Sequence, residues 1–244
     1  MAAIVAAGEW AMQVSGWSII AVALAVTACG SEAPTPQPAP QASPPAVEAT
    51  GPQVDVLAFG DSLFAGYGLA SPDQSYPAQL ERALRQEGRN VRIANAGVSG
   101  DTTATGRQRL TFTLDSQPAK PDLVLLELGG NDLLRGLPPE QTRANLDAML
   151  TELGRRDIPV VLMSLQAPPN YGTAFQQQFD AIYPALAAKH GAALVPFVTA
   201  QVFTNPRMIQ SDHVHPTAEG VAALVKATGD AVAQAIPPEP GATD

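Results

Sequence analysis

From Val54 onward, short apolar runs alternate with longer amphipathic segments, and this alternation limits what the chain can build. The runs Val54–Phe59, Val91–Ala94, Leu123–Leu128, Val160–Leu165 and Ala193–Phe197 have the length and the Val/Leu content of strands. Between them, Pro77–Glu87, Thr102–Leu114, Glu140–Arg156 and Phe175–Lys189 read as helices, and Thr217–Ala235 closes the chain. Thr217 suits an N-cap, with Val221, Leu224 and Val225 at helical spacing behind it. Nearly continuous apolar strands separated by single helices predict an α/β fold with a parallel sheet covered on both faces. In such sheets, ligand sites form beyond the carboxyl ends of the strands.

Upstream of that domain the composition changes. Ser31 to Pro52 carries seven prolines among alanines, which fix φ and remove backbone donors, so the segment is expected to be extended and unpacked. At ~3.1 Å per residue it would act as a semi-rigid tether. Before it, Trp17 to Val26 is apolar apart from Ser18 and leads into Val26-Thr27-Ala28-Cys29, a pattern similar to the bacterial lipoprotein signal in which the cysteine is acylated. Met1 to Gly16 carries no Lys or Arg, a departure from the usual basic start of a signal. The expected division is a signal or lipoprotein-like segment over 1–29, a Pro/Ala-rich linker over 30–52, a catalytic domain over 53–237 and a flexible tail over 238–244. Attachment to the cell envelope is expected through lipid on Cys29, the single cysteine, which excludes an intrachain disulfide.

With a net charge of −9 and no Lys or Arg before Arg82, there is neither a basic stripe for nucleic acid nor a polybasic patch for anionic lipid. No His/Cys cluster with metal-ligand spacing appears, so neither metal nor cofactor is expected.

The chemistry-bearing residues fall at the ends of the strand-like runs. Ser62 follows the first in Gly60-Asp61-Ser62-Leu63, Gly97-Val98-Ser99-Gly100-Asp101 follows the second, and Gly129-Gly130-Asn131-Asp132 follows the third. Near the C-terminus lies Asp212-His213-Val214-His215-Pro216. A hydroxyl, an imidazole and a carboxylate are the parts of a nucleophilic acyl-transfer site. Asp212 is three residues before His215, close enough for a turn to set its carboxylate on Nδ1–H. The Gly100 N–H and the Asn131 amide are candidate donors to an oxyanion.

Each residue also has a plainer reading. Ser62 and Asn131 are residue types common at helix caps, and Gly100 suits a turn. His190, before Gly191 at a helix end, suits a structural role against the helix dipole. His213 lies two residues from His215 and competes with it for the role of base. The α/β-hydrolase elbow Gly-x-Ser-x-Gly is absent, Gly97-Val98-Ser99-Gly100 being one spacer short.

Taken together, the four blocks resemble the GDSL esterases and lipases, or SGNH hydrolases, across essentially all of residues 54 to 236. The runs Ala94–Thr102, Glu127–Gly136 and Pro169–Gly172 look like the bacterial arylesterase, lysophospholipase and thioesterase I branch. The resemblance implies a three-layer flavodoxin-like sandwich with five parallel strands. It also implies Ser62 as nucleophile, His215 and Asp212 as its partners, and Ser62 N–H, Gly100 N–H and Asn131 as oxyanion donors. Asn170 and Tyr171 would border the acyl pocket. The expected activity is serine esterase action on small acyl esters, lysophospholipids or thioesters, without a cofactor, by a monomer of the periplasmic side of the envelope. A carbohydrate acetylesterase is the runner-up, although aromatic residues are only 5% of the chain, few for sugar platforms. A non-catalytic lipid-binding lipoprotein would have tolerated loss of Ser62, Asn131 or His215, and all three are present.

Overall fold

A computed structural model describes residues 50–198 and 200–237. Cys29, the apolar run before it and most of the proline-rich stretch lie outside the described residues, as does the tail from 238.

Five strands, β1 (Thr50–Gly60), β2 (Arg89–Asn95), β3 (Leu123–Glu127), β4 (Val160–Ser164) and β5 (Ala193–Pro196), form one sheet in the order β2-β1-β3-β4-β5. Every pairing is parallel. The five expected strands are all present, and the sheet is the expected α/β three-layer sandwich. β3 is buried along its whole length, which is why its sequence does not alternate, whereas the edge strand β2 exposes Arg89 and Arg92. β1 starts four residues earlier than its apolar run predicts. Pro52 is accommodated because β3 pairs with β1 only from Val56, and the β1–β2 register shifts between Thr50 and Val54.

Helices of α or 3₁₀ type follow each strand and flank the sheet. On one face α2 (Tyr76–Gln86) packs against α9 (Ala218–Ala235), joined by a 2.7 Å hydrogen bond between the buried Tyr76 and Thr228 hydroxyls. The other face carries α3 (Thr103–Asp115), α5 (Pro139–Arg155) and α7 (Ile182–His190). Thr217 caps α9 as expected, its hydroxyl accepting the Gly220 N–H, and Val221, Leu224, Val225 and Val232 bury one stripe. Each such fully buried aliphatic side chain contributes about 1.5–3 kcal/mol relative to exposure.

The segment expected as a single helix over Phe175–Lys189 is two, α6 (Thr173–Asp180) and α7, meeting at Ala181. Pro184 is the cause: it has no N–H to donate to the Asp180 carbonyl, and its ring would collide there if the helix ran through. Short helices open at the strand ends as well, α1 (Ser62–Ala65) after β1 and α4 (Gly130–Leu134) after β3, with α8 (Ala200–Phe203) after β5. No helix among the described residues is long and apolar enough to cross a membrane.

Candidate active site

The strand order reverses between β1 and β3, and the loops leaving these two strands diverge to open a crevice at the carboxyl edge of the sheet. Gly60 and Glu127 are register partners at that edge, so Ser62 and Asn131 emerge side by side. Asp61 caps α1 by accepting the Leu63 N–H at 3.0 Å, which puts Ser62 at the first helical position with its own N–H free of any intrahelical bond. The plainer reading of Ser62 as a cap therefore passes to its neighbour. The loop after β2 lies directly on α1: a Cβ on Gly97 would run into the Ala65 nitrogen and the Phe64 carbonyl carbon, so only glycine fits. Gly129 has φ 122, and any side chain there would collide with the Tyr183 hydroxyl, which donates to the Leu128 carbonyl.

The loop before α9 brings in the other half of the site. His213 adopts φ 60, a left-handed conformation that histidine takes more readily than most residues. That turn folds Asp212 back so that its Oδ1 accepts the N–H groups of Val214 (2.9 Å) and His215 (3.0 Å). Asp212 Oδ2 lies 2.6 Å from His215 Nδ1, and His215 Nε2 lies 2.8 Å from Ser62 Oγ. Partial burial pushes the Asp212 carboxyl up, but the backbone and ring N–H groups of His215 and the Val214 N–H outweigh it and hold the group at about 2. An ionised Asp212 can only accept, so Nδ1 carries the proton and Nε2 is left to accept from the Ser62 hydroxyl. Asp61 Oδ1, 3.5 Å from Ser62 Oγ, competes poorly for that proton. The serine, histidine and aspartate expected from sequence thus form one hydrogen-bonded chain, and His213 remains exposed outside it.

Besides the Ser62 N–H, the two expected donors lie on the segments that follow β2 and β3. The Gly100 N–H, in a loop with φ 85, donates to no described residue, and the Arg135 guanidinium holds the Gly100 carbonyl at 2.9 Å. Asn131 lies in the first turn of α4 rather than at its cap, and its Nδ2 donates to Asp61 Oδ2 (3.1 Å) and to the Asp101 carbonyl (3.0 Å). Both amide protons are therefore engaged. Arg109, stacked 3.9 Å over the Phe59 ring, spans from Asp101 Oδ2 to the Gly60 carbonyl and ties the Gly100 loop to the end of β1.

Of the two residues expected beside an acyl pocket, Asn170 is exposed, and the Tyr171 hydroxyl donates to the Leu133 carbonyl at 2.8 Å. Tyr171 thereby ties its loop to the end of α4. His190 ends α7 as expected, yet it bonds Asp147 across on α5 (2.6 Å) in addition to meeting its own helix end.

Sequence reasoning passed over the acidic floor. Glu127 is fully buried at the end of β3; its Oε2 accepts the Asp61 N–H, and Oε1 has no partner. Burial first, and then the Asp61 charge beside it, pushes the Glu127 carboxyl well above the usual carboxylate range. Burial raises Asp61 as well. A glutamate inside an otherwise apolar strand run was a legible signal for this pair. Among the described residues, no group of three or more His, Cys, Asp and Glu side chains is arranged to hold a metal ion.

This fold, with a serine, a histidine and an aspartate in hydrogen-bonded series at the switch point of its sheet, defines a class of hydrolases. The chain belongs to the GDSL-like lipase/acylhydrolase family, whose model matches residues 58–223. It is 42% identical over 164 residues to the arylesterase of Vibrio mimicus, covering 67% of this chain and 80% of that one. It is 38% identical over 161 residues to the thioesterase 1/protease 1/lysophospholipase L1 of Escherichia coli K12, covering 66% and 74%. Among solved structures, AlinE4, an SGNH-hydrolase family esterase, superposes with a TM-score of 0.65 at 60% identity, covering 78% of this chain and all of that one. The protein is a carboxylic ester hydrolase.

Proposed function

We propose that Ser62 is the nucleophile, His215 the general base and acid, and Asp212 the group that sets the imidazole tautomer. The observation that carries this reading is the 2.8 Å approach of Ser62 Oγ to His215 Nε2, across 153 residues of sequence, with Asp212 2.6 Å behind. As Ser62 Oγ attacks the acyl carbon, its proton passes to Nε2 and the carbonyl oxygen becomes an oxyanion. The Ser62 and Gly100 N–H groups receive that oxyanion, and Asn131 joins them by exchanging its bond to the Asp101 carbonyl. Collapse expels the alcohol or thiol, protonated by His215, and leaves an acyl-Ser62 ester. Water, deprotonated by His215, then releases the acid. Aryl esters, lysophospholipids and acyl thioesters are the substrate classes of this reading.

Ser62→Ala should abolish hydrolysis of a chromogenic aryl ester while the melting temperature is unchanged, and an organophosphonate should label the native enzyme at Ser62 alone. Labelling that survives the substitution or moves to Ser99 would remove Ser62 from the role. For location, the reading is a lipoprotein held by acylated Cys29 on a proline-rich spacer. Mass spectrometry of the mature N-terminus should find a lipid-modified Cys29, and an unmodified terminus would sink that part.

A further inference from the structure

Two residues outside the proposed triad bear on His215, and they come from opposite halves of the chain. α1 is closed by Gly66 in the left-handed conformation, which turns the chain back so that Tyr67 N–H bonds the Ser62 carbonyl. The Tyr67 ring then lies against the His215 imidazole, centroids 4.5 Å apart and tilted by 41°. It is 53% exposed, one of few large apolar side chains so placed, and its hydroxyl bonds none of the described residues. The ring, not the hydroxyl, makes the contact.

Gln210 joins the same two strands of chain through its amide. Its Nε2 donates to the Tyr67 carbonyl (2.8 Å) and to the Pro216 carbonyl (2.9 Å), spanning 143 residues in the first case. Its backbone N–H donates to the His215 carbonyl at 2.8 Å, and its carbonyl accepts the His213 N–H. Next to Tyr67, Gly68 has φ 72 and leaves no room for a side chain, because a Cβ there would strike the Gln210 amide. The segment after Ser62 and the loop bearing His215 are thus bolted together at one side chain. Neither group reaches the Ser62 hydroxyl, so whatever they do for the reaction is done through the imidazole.

We propose that Tyr67 and Gln210 are positioning residues forming a clasp that holds the His215 imidazole on Ser62, with the Tyr67 ring face also favouring the imidazolium that forms as the serine proton is taken. The aromatic face attracts a cation, and a partly covered pair of this kind is worth a few-fold to ~30-fold in rate. Displacement of a base by about 1 Å costs up to ~10²-fold. The inference rests on His215 being the base.

The experiment measures kcat and KM for aryl ester hydrolysis, with melting temperatures, for Tyr67→Phe, Tyr67→Leu, Gln210→Leu and His215→Ala, and for Tyr67→Leu and Gln210→Leu each combined with His215→Ala. Tyr67→Phe should keep at least half of the native kcat. Tyr67→Leu should lower kcat about 5- to 30-fold and Gln210→Leu about 10- to 100-fold, both with KM within threefold. In the His215→Ala background neither change should lower the residual rate further, because the group they position is gone. A rise in KM at constant kcat would make Tyr67 a substrate contact and overturn the proposal. So would full losses that persist in the His215→Ala background, or a Gln210→Leu enzyme that melts earlier but turns over normally. If His215→Ala itself retained native kcat, the triad reading would fail, and that result is distinct from failure of the clasp.

Discussion

Replacing Asp212 by asparagine changes one atom and should reverse one proton. In the native loop, Oδ1 accepts two backbone N–H groups, from Val214 and His215, while Oδ2 faces His215 Nδ1 at 2.6 Å. An amide at this position has one acceptor and one donor, and the two backbone donors hold the acceptor on the Oδ1 side. Its NH₂ must then face Nδ1, which can only accept from it, so the ring proton moves to Nε2 and points at Ser62 Oγ. A protonated Nε2 cannot take the serine proton. The expected loss in kcat is ~10⁴-fold, or about 5 kcal/mol of transition-state stabilisation. Folding should suffer little. The two backbone bonds survive in weaker, uncharged form, the third is reversed, and the carboxylate that the amide replaces is 38% exposed, so solvent screening limits the cost to about 1 kcal/mol. The assay pairs steady-state hydrolysis with active-site titration by an organophosphonate and thermal unfolding across pH. Asp212 is held at about 2 against an ordinary 3.8, so its stabilising contribution is complete above about pH 4 and disappears as pH falls towards 2. The gap in melting temperature between native and Asp212→Asn enzymes should therefore close over that window. A variant that keeps more than a tenth of native kcat would refute the tautomer argument, whatever its stability.

Two further outcomes test the surroundings of that loop. His213→Gly should leave kcat within about twofold, whereas His213→Val should lower it by tenfold or more, since a β-branched residue is strained at φ 60 and would open the turn that brings Asp212 to His215; equal effects in the same kinetic assay would make the imidazole of His213, not its backbone, the important feature. Asn131→Ala should lower kcat by ~10²–10³ with little change in KM, because in the proposed mechanism the residue is an oxyanion donor and it also braces Asp61 against Asp101; a rise in KM at unchanged kcat would recast it as a group that binds the ground state.

Much of the fold was legible because it rests on local periodicity. The five apolar runs became the five strands, and the helices between them followed, apart from the split that Pro184 forces at Ala181. The extra short helices α1, α4 and α8 escaped notice because a single turn carries no hydrophobic period. The candidate triad was legible for another reason: Asp212 and His215 sit three residues apart, and Ser62 follows a strand, so each half announces itself locally.

What sequence alone determined, then, was an alternating α/β chain with its reactive side chains at one edge of a parallel sheet. Strand order, and with it the placing of Ser62 beside Asn131, was decided only in three dimensions, because the β1–β3 neighbourhood depends on which strands pair and in which register. The same holds for the Glu127–Asp61 floor, whose shifted protonation arises from burial that no linear pattern states. The hydrogen bond from the Tyr171 hydroxyl to the Leu133 carbonyl likewise joins positions 38 residues apart. The Tyr67–Gln210 clasp joins positions 143 residues apart, each unremarkable in its own stretch of chain. Such features consist of distances between remote groups, and periodicity, which reads only neighbours, carries no information about them.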